Sequence, residues 1–178
     1  KSRGWDAGFE QYFLDKTIFL DAVYFYNDFS SMIDYDFLTS KYKNVAEAQT
    51  EGVELNSSLK LKDTFMLKAS AARLRTKNRT NGENLKRRPK NKFSLGMDYH
   101  YVKNGIFNID AVYIGERDDN QEIILDSYTL VNTLISYNIS KSLEVYVKAN
   151  NIFDEDYEEA KGYGTPGSSF YGGIKINY

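Results

Sequence analysis

Large apolar residues recur at every second position along most of the chain, and polar stretches rich in Asn, Asp, Ser, Lys or Gly separate the runs. In KFSLGMDYHY, Phe93, Leu95, Met97, Tyr99 and Tyr101 fall on one face, with Lys92, Ser94, Gly96, Asp98 and His100 on the other. Successive side chains of a strand point to opposite sides, so this pattern is a strand's and cannot form the apolar stripe of a helix. The same alternation sets Leu143, Val145, Val147 and Ala149 on one face, Val131, Thr133, Ile135, Tyr137 and Ile139 on another, and Phe107, Ile109, Ala111 and Tyr113 on a third. Val53, Leu55, Leu59 and Leu61, then Phe65, Leu67, Ala69 and Ala71, mark two further apolar faces. Short polar turns are expected near 14–16, 62–64, 103–105 and 140–142, and long connections near 35–43, 77–89, 116–127 and 154–167.

This pattern predicts about nine strands, many of them longer than the usual five or six residues. A strand of about 12 residues rises roughly 40 Å, enough to cross a bilayer obliquely. A soluble antiparallel sandwich would also alternate. Strand length, the asymmetry between tight turns and long loops, and tyrosines near the ends of the apolar faces favour an all-β fold of antiparallel transmembrane barrel strands. In lipid every backbone group must be paired, so such a sheet has to close on itself.

Composition agrees with one wet and one apolar face. There are 15 Tyr and 11 Phe against 2 Pro, yet the mean hydropathy is −0.55. The 23 basic and 25 acidic residues leave a net charge of −2, which provides no basic field for nucleic acid. With no cysteine, neither disulfides nor thiol metal sites are available. No apolar run has the length of a spanning helix, and no signal peptide opens the chain. A chain that starts at Lys1 without Met is expected to be processed or part of something longer.

The final stretch, VKANNIFDEDYEEAKGYGTPGSSFYGGIKINY, carries the most specific pattern. Gly173, Ile176 and Tyr178 match the glycine, the apolar residue two before the end and the terminal aromatic of an outer-membrane assembly signal. Asn151, Ile152, Phe153 and Asp154, then Tyr157 and Glu158, Gly162 and Tyr163, and Pro166 and Gly167, resemble the C-terminal signature of TonB-dependent outer-membrane receptors. Ser168 stands where that family commonly has Arg, so no role of that arginine carries over. WDAGFEQYF, NVAEAQTEGVEL (44–55) and LKRRPKNKFSLGMDY (85–99) resemble earlier strands of these receptors, particularly their cobalamin and siderophore branch. Gly52 and Gly173 would permit close packing in tilted strands, and Pro166 and Gly167 would supply a turn.

The resemblance implies a barrel of about 22 strands around an N-terminal plug, in the outer membrane of a Gram-negative bacterium. Residues 1–178 would be its C-terminal part, with the plug and earlier strands outside this chain. It implies a receptor for TonB-energised uptake of cobalamin or an iron-siderophore, cobalamin being favoured by LKRRPK and GYGTPG. TonB would be reached through the missing N-terminal region. Outer-membrane lipid, lipopolysaccharide and the barrel assembly machinery are the other expected partners. A small self-contained barrel with a structural or adhesin role, and a soluble β binding module, are the alternatives.

No catalytic constellation, metal centre or cofactor is expected. His100 is the only histidine and reads as a polar wall residue. Asp118 and Asp119, and the run Asp154, Glu155, Asp156, Glu158 and Glu159, lack calcium-loop spacing; they read as solvated loop charge or as bridges to lipopolysaccharide through divalent ions. Arg73, Arg75 and Arg79 lead into one long connection, Arg87 and Arg88 lead out of it, and Arg117 lies near the next. Guanidinium groups hold carboxylates and phosphates in forked hydrogen bonds. Arg75, Arg79, Arg87, Arg88, Arg117 and Tyr163 are therefore candidate ligand-binding residues, with contact to lipopolysaccharide or loop solvation as the other readings of the arginines. Tyr35, Phe37, Tyr42, Tyr157 and Tyr163 could form an aromatic contact surface at the rim or belong to the interfacial girdle.

Overall fold

The computed structural model describes residues 1–36, 39–120 and 123–176. Its strands are β1 (Ser2–Phe13), β2 (Ile18–Asp36), β3 (Lys41–Leu61), β4 (Phe65–Asn78), β5 (Asn91–Val102), β6 (Gly105–Ile114), β7 (Arg117–Asp118), β8 (Ile124–Leu125), β9 (Tyr128–Ser140), β10 (Leu143–Asn150) and β11 (Ser169–Ile176). Nine of them form one sheet in the order β1-β2-β3-β4-β5-β6-β9-β10-β11, each antiparallel to its neighbours; β7 and β8 make a small separate hairpin. No helix of the described residues is long and apolar enough to cross a membrane, which leaves a strand-built crossing open.

One end of the sheet has the four tight turns expected from the sequence, between β1 and β2, β3 and β4, β5 and β6, and β9 and β10. At the opposite end the long connections span 79–90, 115–127 and 151–168. Much of the long connection expected near 35–43 is strand instead, at 35–36 and 41–43: β2 has 19 residues and β3 has 21, and their pairing continues out to Asp36 and Lys41. The reason is physical. Beyond a bilayer both faces of a hairpin meet water, so the backbone ladder persists while the hydrophobic alternation that marks it fades.

Because the pairing is in register from strand to strand, the alternating faces merge into two continuous surfaces. One row runs Phe9, Ala22, Leu55, Ala71, Phe93, Tyr113 and Thr129 across β1 to β9; the adjacent row runs Glu10, Asp21, Asn56, Ser70, Ser94, Val112 and Leu130 on the other side. The first face is apolar and open: Phe9 is 63%, Leu95 57% and Ile174 68% exposed. Apolar area this extensive is what lipid covers in a membrane barrel. In β5, the steps from Phe93 to Tyr101 rise roughly 27 Å along the strand, or roughly 21 Å of height at a 40° tilt, close to the apolar band of such barrels. Aromatic rings bound this band on the outer face, with Trp5 against Tyr24 and Phe93 against Tyr113 toward the long connections and Phe65 against Tyr99 toward the tight turns.

The other face is polar and internally bonded. Asn56 donates to Asp21 at 2.8 Å, Ser70 and Ser94 share a hydrogen bond at 2.6 Å, and Asp98 accepts from Lys68 at 2.7 Å and Asn108 at 2.6 Å. On this face Gly52 lies beneath the Phe25 ring and Gly173 beneath the Tyr146 ring. Among the described residues no large side chain is fully buried, because a barrel wall has no sandwich core. Ile176 is 64% exposed on the outer face, and Tyr178 lies outside the described residues.

Candidate functional site

The long connections fold onto one another above the sheet, and segment 115–127 is the strap between the other two. Its Asp119 is 3% exposed and receives two charge-assisted or backbone donors from opposite sides, the Arg87 Nε at 2.8 Å and the Lys161 amide at 2.7 Å. On the first side, Asp118 accepts from Asn84 at 2.7 Å, its carbonyl takes the Arg87 amide at 2.7 Å, and Lys86 donates to Asn120 at 2.8 Å. Arg87 holds a left-handed φ of 57°, a conformation that costs a non-glycine residue energy and persists where contacts fix it.

Arg117 is the center of the second side. It is 4% exposed and donates to the carbonyls of Gly115, Asp126 and Glu158, while its guanidinium lies 5.1 Å from the Tyr128 ring center. Tyr128 in turn packs on Tyr157 at 4.3 Å, and the Tyr157 carbonyl accepts from Thr165 at 2.6 Å. A buried guanidinium is tolerated where carbonyls and a ring face take up its donors and charge.

The last connection is held by its own motif. Asn151, 4% exposed with φ 47°, accepts the Glu155 amide and donates to the Glu155 carbonyl, each at 2.9 Å, and also reaches the Pro166 carbonyl at 3.5 Å. Asp154 accepts the amide of Ser168, 14 positions later, at 2.7 Å and so closes the loop. These residues of the Asn-apolar-Phe-Asp run thus build the loop, and Phe153 between them is 73% exposed.

Charge within the assembly is compensated. Burial pushes the Asp119 carboxyl up, but the Lys161 amide, the Arg87 guanidinium and the Asn120 amide outweigh it and hold it below the ordinary carboxylate value. Glu158 is likewise held low by the Lys161 ammonium and the Gly162 amide. No group of three or more His, Cys, Asp or Glu suited to a metal occurs among the described residues. Between the loops lie a recess of about 450 Å³ lined by Asn84, Lys86, Asp118 and Ile124, and one of about 390 Å³ lined by Asp126, Tyr128, Tyr157 and Lys161.

The six candidate ligand residues do not converge on one funnel. Arg87 and Arg117 sit inside the interloop lock. Arg79 donates to Tyr26 and Gln49 at 3.1 Å and pairs with Asp28 at 3.5 Å at the base of the long β2–β3 hairpin. Arg75 and Arg88 share a third place, a recess of about 180 Å³ that Arg73 and Lys90 also line. Tyr163 is 69% exposed near a loop tip. Tyr35 and Tyr42 pair at 5.2 Å on the long hairpin, apart from Tyr157, and Phe37 lies outside the described residues. Tyr128 was not named from sequence, Asn151 was named only as part of the C-terminal signature, and Asp119, read there as solvated loop charge or a divalent-ion bridge, is instead buried and bonded to Arg87 and Lys161; Asn before a turn was the one local signal available.

A family model described as TonB dependent receptor-like, beta-barrel, matches residues 1–152. Vitamin B12 transporters BtuB from strains of Vibrio cholerae serotype O1 are 28% identical over 159 residues, covering 84% of this chain and 25% of theirs. The chain thus spans about a quarter of the length of these curated relatives. Among solved structures, the copper transporter OprC superposes with a TM-score of 0.84 at 16% identity, over 99% of this chain and 31% of that one. A mutant ferric enterobactin receptor PfeA from Pseudomonas aeruginosa gives 0.84 at 17%, over 99% and 31%. The ferric-catecholate import receptor Fiu from E. coli K12 in its closed form gives 0.77 at 17%, over 99% and 27%. At these identities the structural likeness is one of fold.

Proposed function

This chain belongs to the TonB-dependent receptor β-barrel family of Gram-negative outer membranes, and from that membership we infer that residues 1–178 are the C-terminal part of the wall of a larger, plugged barrel that imports cobalamin. The observation that carries the transport reading is the pair of faces: an apolar surface for lipid, and a polar surface suited to a water-filled lumen. The nine strands, with β1 and β11 as edges, and the fractional coverage of longer relatives support a barrel completed by further strands. Short turns of such barrels face the periplasm, so the interlocked connections face outward, where cargo arrives.

Capture would occur at the outer loops, and passage would require the plug to rearrange under energy transmitted by TonB through a segment outside this chain. The role is that of a receptor rather than an enzyme. Cobalamin is preferred to an iron-siderophore because the curated relatives are vitamin B12 transporters. Gly173, Ile176 and Tyr178 would serve recognition by the barrel assembly machinery, and outer-membrane lipid and lipopolysaccharide would surround the wall. Calorimetric titration of the intact receptor with cyanocobalamin should give saturable binding; no heat with cobalamin, but saturation with a ferric siderophore, would replace the cargo.

A further inference from the structure

The recess of about 390 Å³ between the second and third connections belongs to the lumen side of the wall. Tyr128, which lines it, pairs opposite Ile114, one position from the outer-row pair Tyr113 and Thr129. Three carboxylates, of Asp126, Asp156 and Glu158, line it together with one ammonium, that of Lys161, which leaves two negative charges in excess. The ammonium is already bonded to Glu158 at 2.9 Å, although Asp126 also helps to hold it charged. Asp126 and Asp156 form no ion pair with any described residue. Tyr128 is only 7% exposed, yet its hydroxyl makes no hydrogen bond to a described residue. No fully enclosed side-chain oxygen or nitrogen among the described residues lacks a partner, so this hydroxyl opens onto the recess that its ring lines.

Spare acceptors of this kind suit a cation that carries N–H donors, and charge-assisted hydrogen bonds to carboxylates are the strong ones. No three carboxylates of the described residues are grouped as the ligands of one metal ion are. The two spare charges therefore match a cation whose own charges are set apart along a chain. Leu125, 3% exposed, and Ile124 supply apolar lining for the methylenes between them. We propose that this recess binds a short aliphatic diammonium ion, with its ammonium groups at Asp126 and Asp156 and the Tyr128 hydroxyl accepting one N–H. This ligand is additional to the transported cargo and does not depend on which cargo passes.

Calorimetric titration of the intact receptor with putrescine, in low-salt buffer, tests the site. Wild-type receptor should bind putrescine saturably at one site, and 1,4-butanediol, its uncharged counterpart, should give no saturation. Combining Asp126→Asn with Asp156→Asn should weaken putrescine binding at least about tenfold, and Tyr128→Phe, which keeps the ring on Arg117, should weaken it about fivefold, the loss of one hydrogen bond. Heat-modifiable gel mobility reports that each variant is folded, and the comparison with butanediol reads the wild-type protein should one fail. Unsaturable heat with putrescine, equal binding of butanediol, or full affinity in the folded double variant overturns the proposal. So does magnesium binding as tightly as putrescine and lost in the same double variant, which would give the recess to an inorganic cation. Cyanocobalamin titrated into the same samples reads the cargo separately: its failure to bind beside saturable putrescine binding would overturn the cargo reading alone.

Discussion

Asp119 shows how a single carboxylate can set the shape of an entire loop assembly. It bonds Arg87, 32 positions earlier, and the Lys161 amide, 42 positions later, while almost fully removed from water. Asp119→Asn keeps the shape but removes the charge and one acceptor, so its former donors lose partners at a cost of about 1–3 kcal/mol. Loop amides around Arg87 and Lys161 should then lose hydrogen-exchange protection while strand amides keep theirs; unchanged protection would show that the loops do not depend on this bond. The acid response follows from the direction of the shift. A carboxyl with a lowered folded value stabilizes fully above its unfolded value of about 3.9, and that contribution is lost as pH falls through the lower folded one. After correction for intrinsic exchange rates, wild-type loop protection should therefore be flat from about pH 8 to 5 and decline only below about 4.

Strand pairing places different demands on two glycines of the inner face. A Cβ at Gly52 would come within 2.6 Å of the Arg73 carbonyl and 2.7 Å of the Phe25 ring, whereas at Gly96 the nearest atoms are 3.9 Å away. Gly52→Ala should lower barrel stability by about 1–3 kcal/mol, since backbone must shift to admit the methyl. Gly96→Ala should be neutral or stabilizing by about 0.4–1 kcal/mol, because it restricts the unfolded chain without a clash. Guanidinium titration of the refolded receptor followed by tryptophan fluorescence distinguishes the two, and equal midpoints would refute the packing argument. The same strands show what sequence could reveal. Every apolar face named from alternation lies on the outer surface, because lipid on one side and water on the other writes a period of two into the residues. Residues 35–43 misled because that contrast is absent above the membrane. The Arg87–Asp119–Lys161 lock was invisible because its members are distant in sequence and no local pattern records their meeting. Arg75, Arg79, Arg87, Arg88 and Arg117 look alike as residue types, yet pairing and folding send them to three places.

Taken across all nine strands, exposure distinguishes two surroundings in which the same sheet could exist. Leu95 is 57% exposed on the outer face, and its neighbor Ser94 lies on the inner one, bonded to Ser70. In water, exchanging an exposed Leu for Lys removes apolar area from solvent contact and should be harmless or helpful. In a bilayer the same change places an ammonium near the middle of the apolar band, where a transmembrane barrel loses about 2–4 kcal/mol. Leu95→Lys should therefore destabilize the intact receptor refolded into phospholipid vesicles by that amount, while Leu143→Lys, at the tight-turn end of the outer face, should cost about 0–1 kcal/mol as its ammonium reaches the interface. Denaturant titrations of both variants in vesicles measure the difference directly. A graded penalty, large at Leu95 and small at Leu143, is what depth in a membrane produces; equal, negligible costs would mean that the continuous apolar surface is covered by something other than lipid.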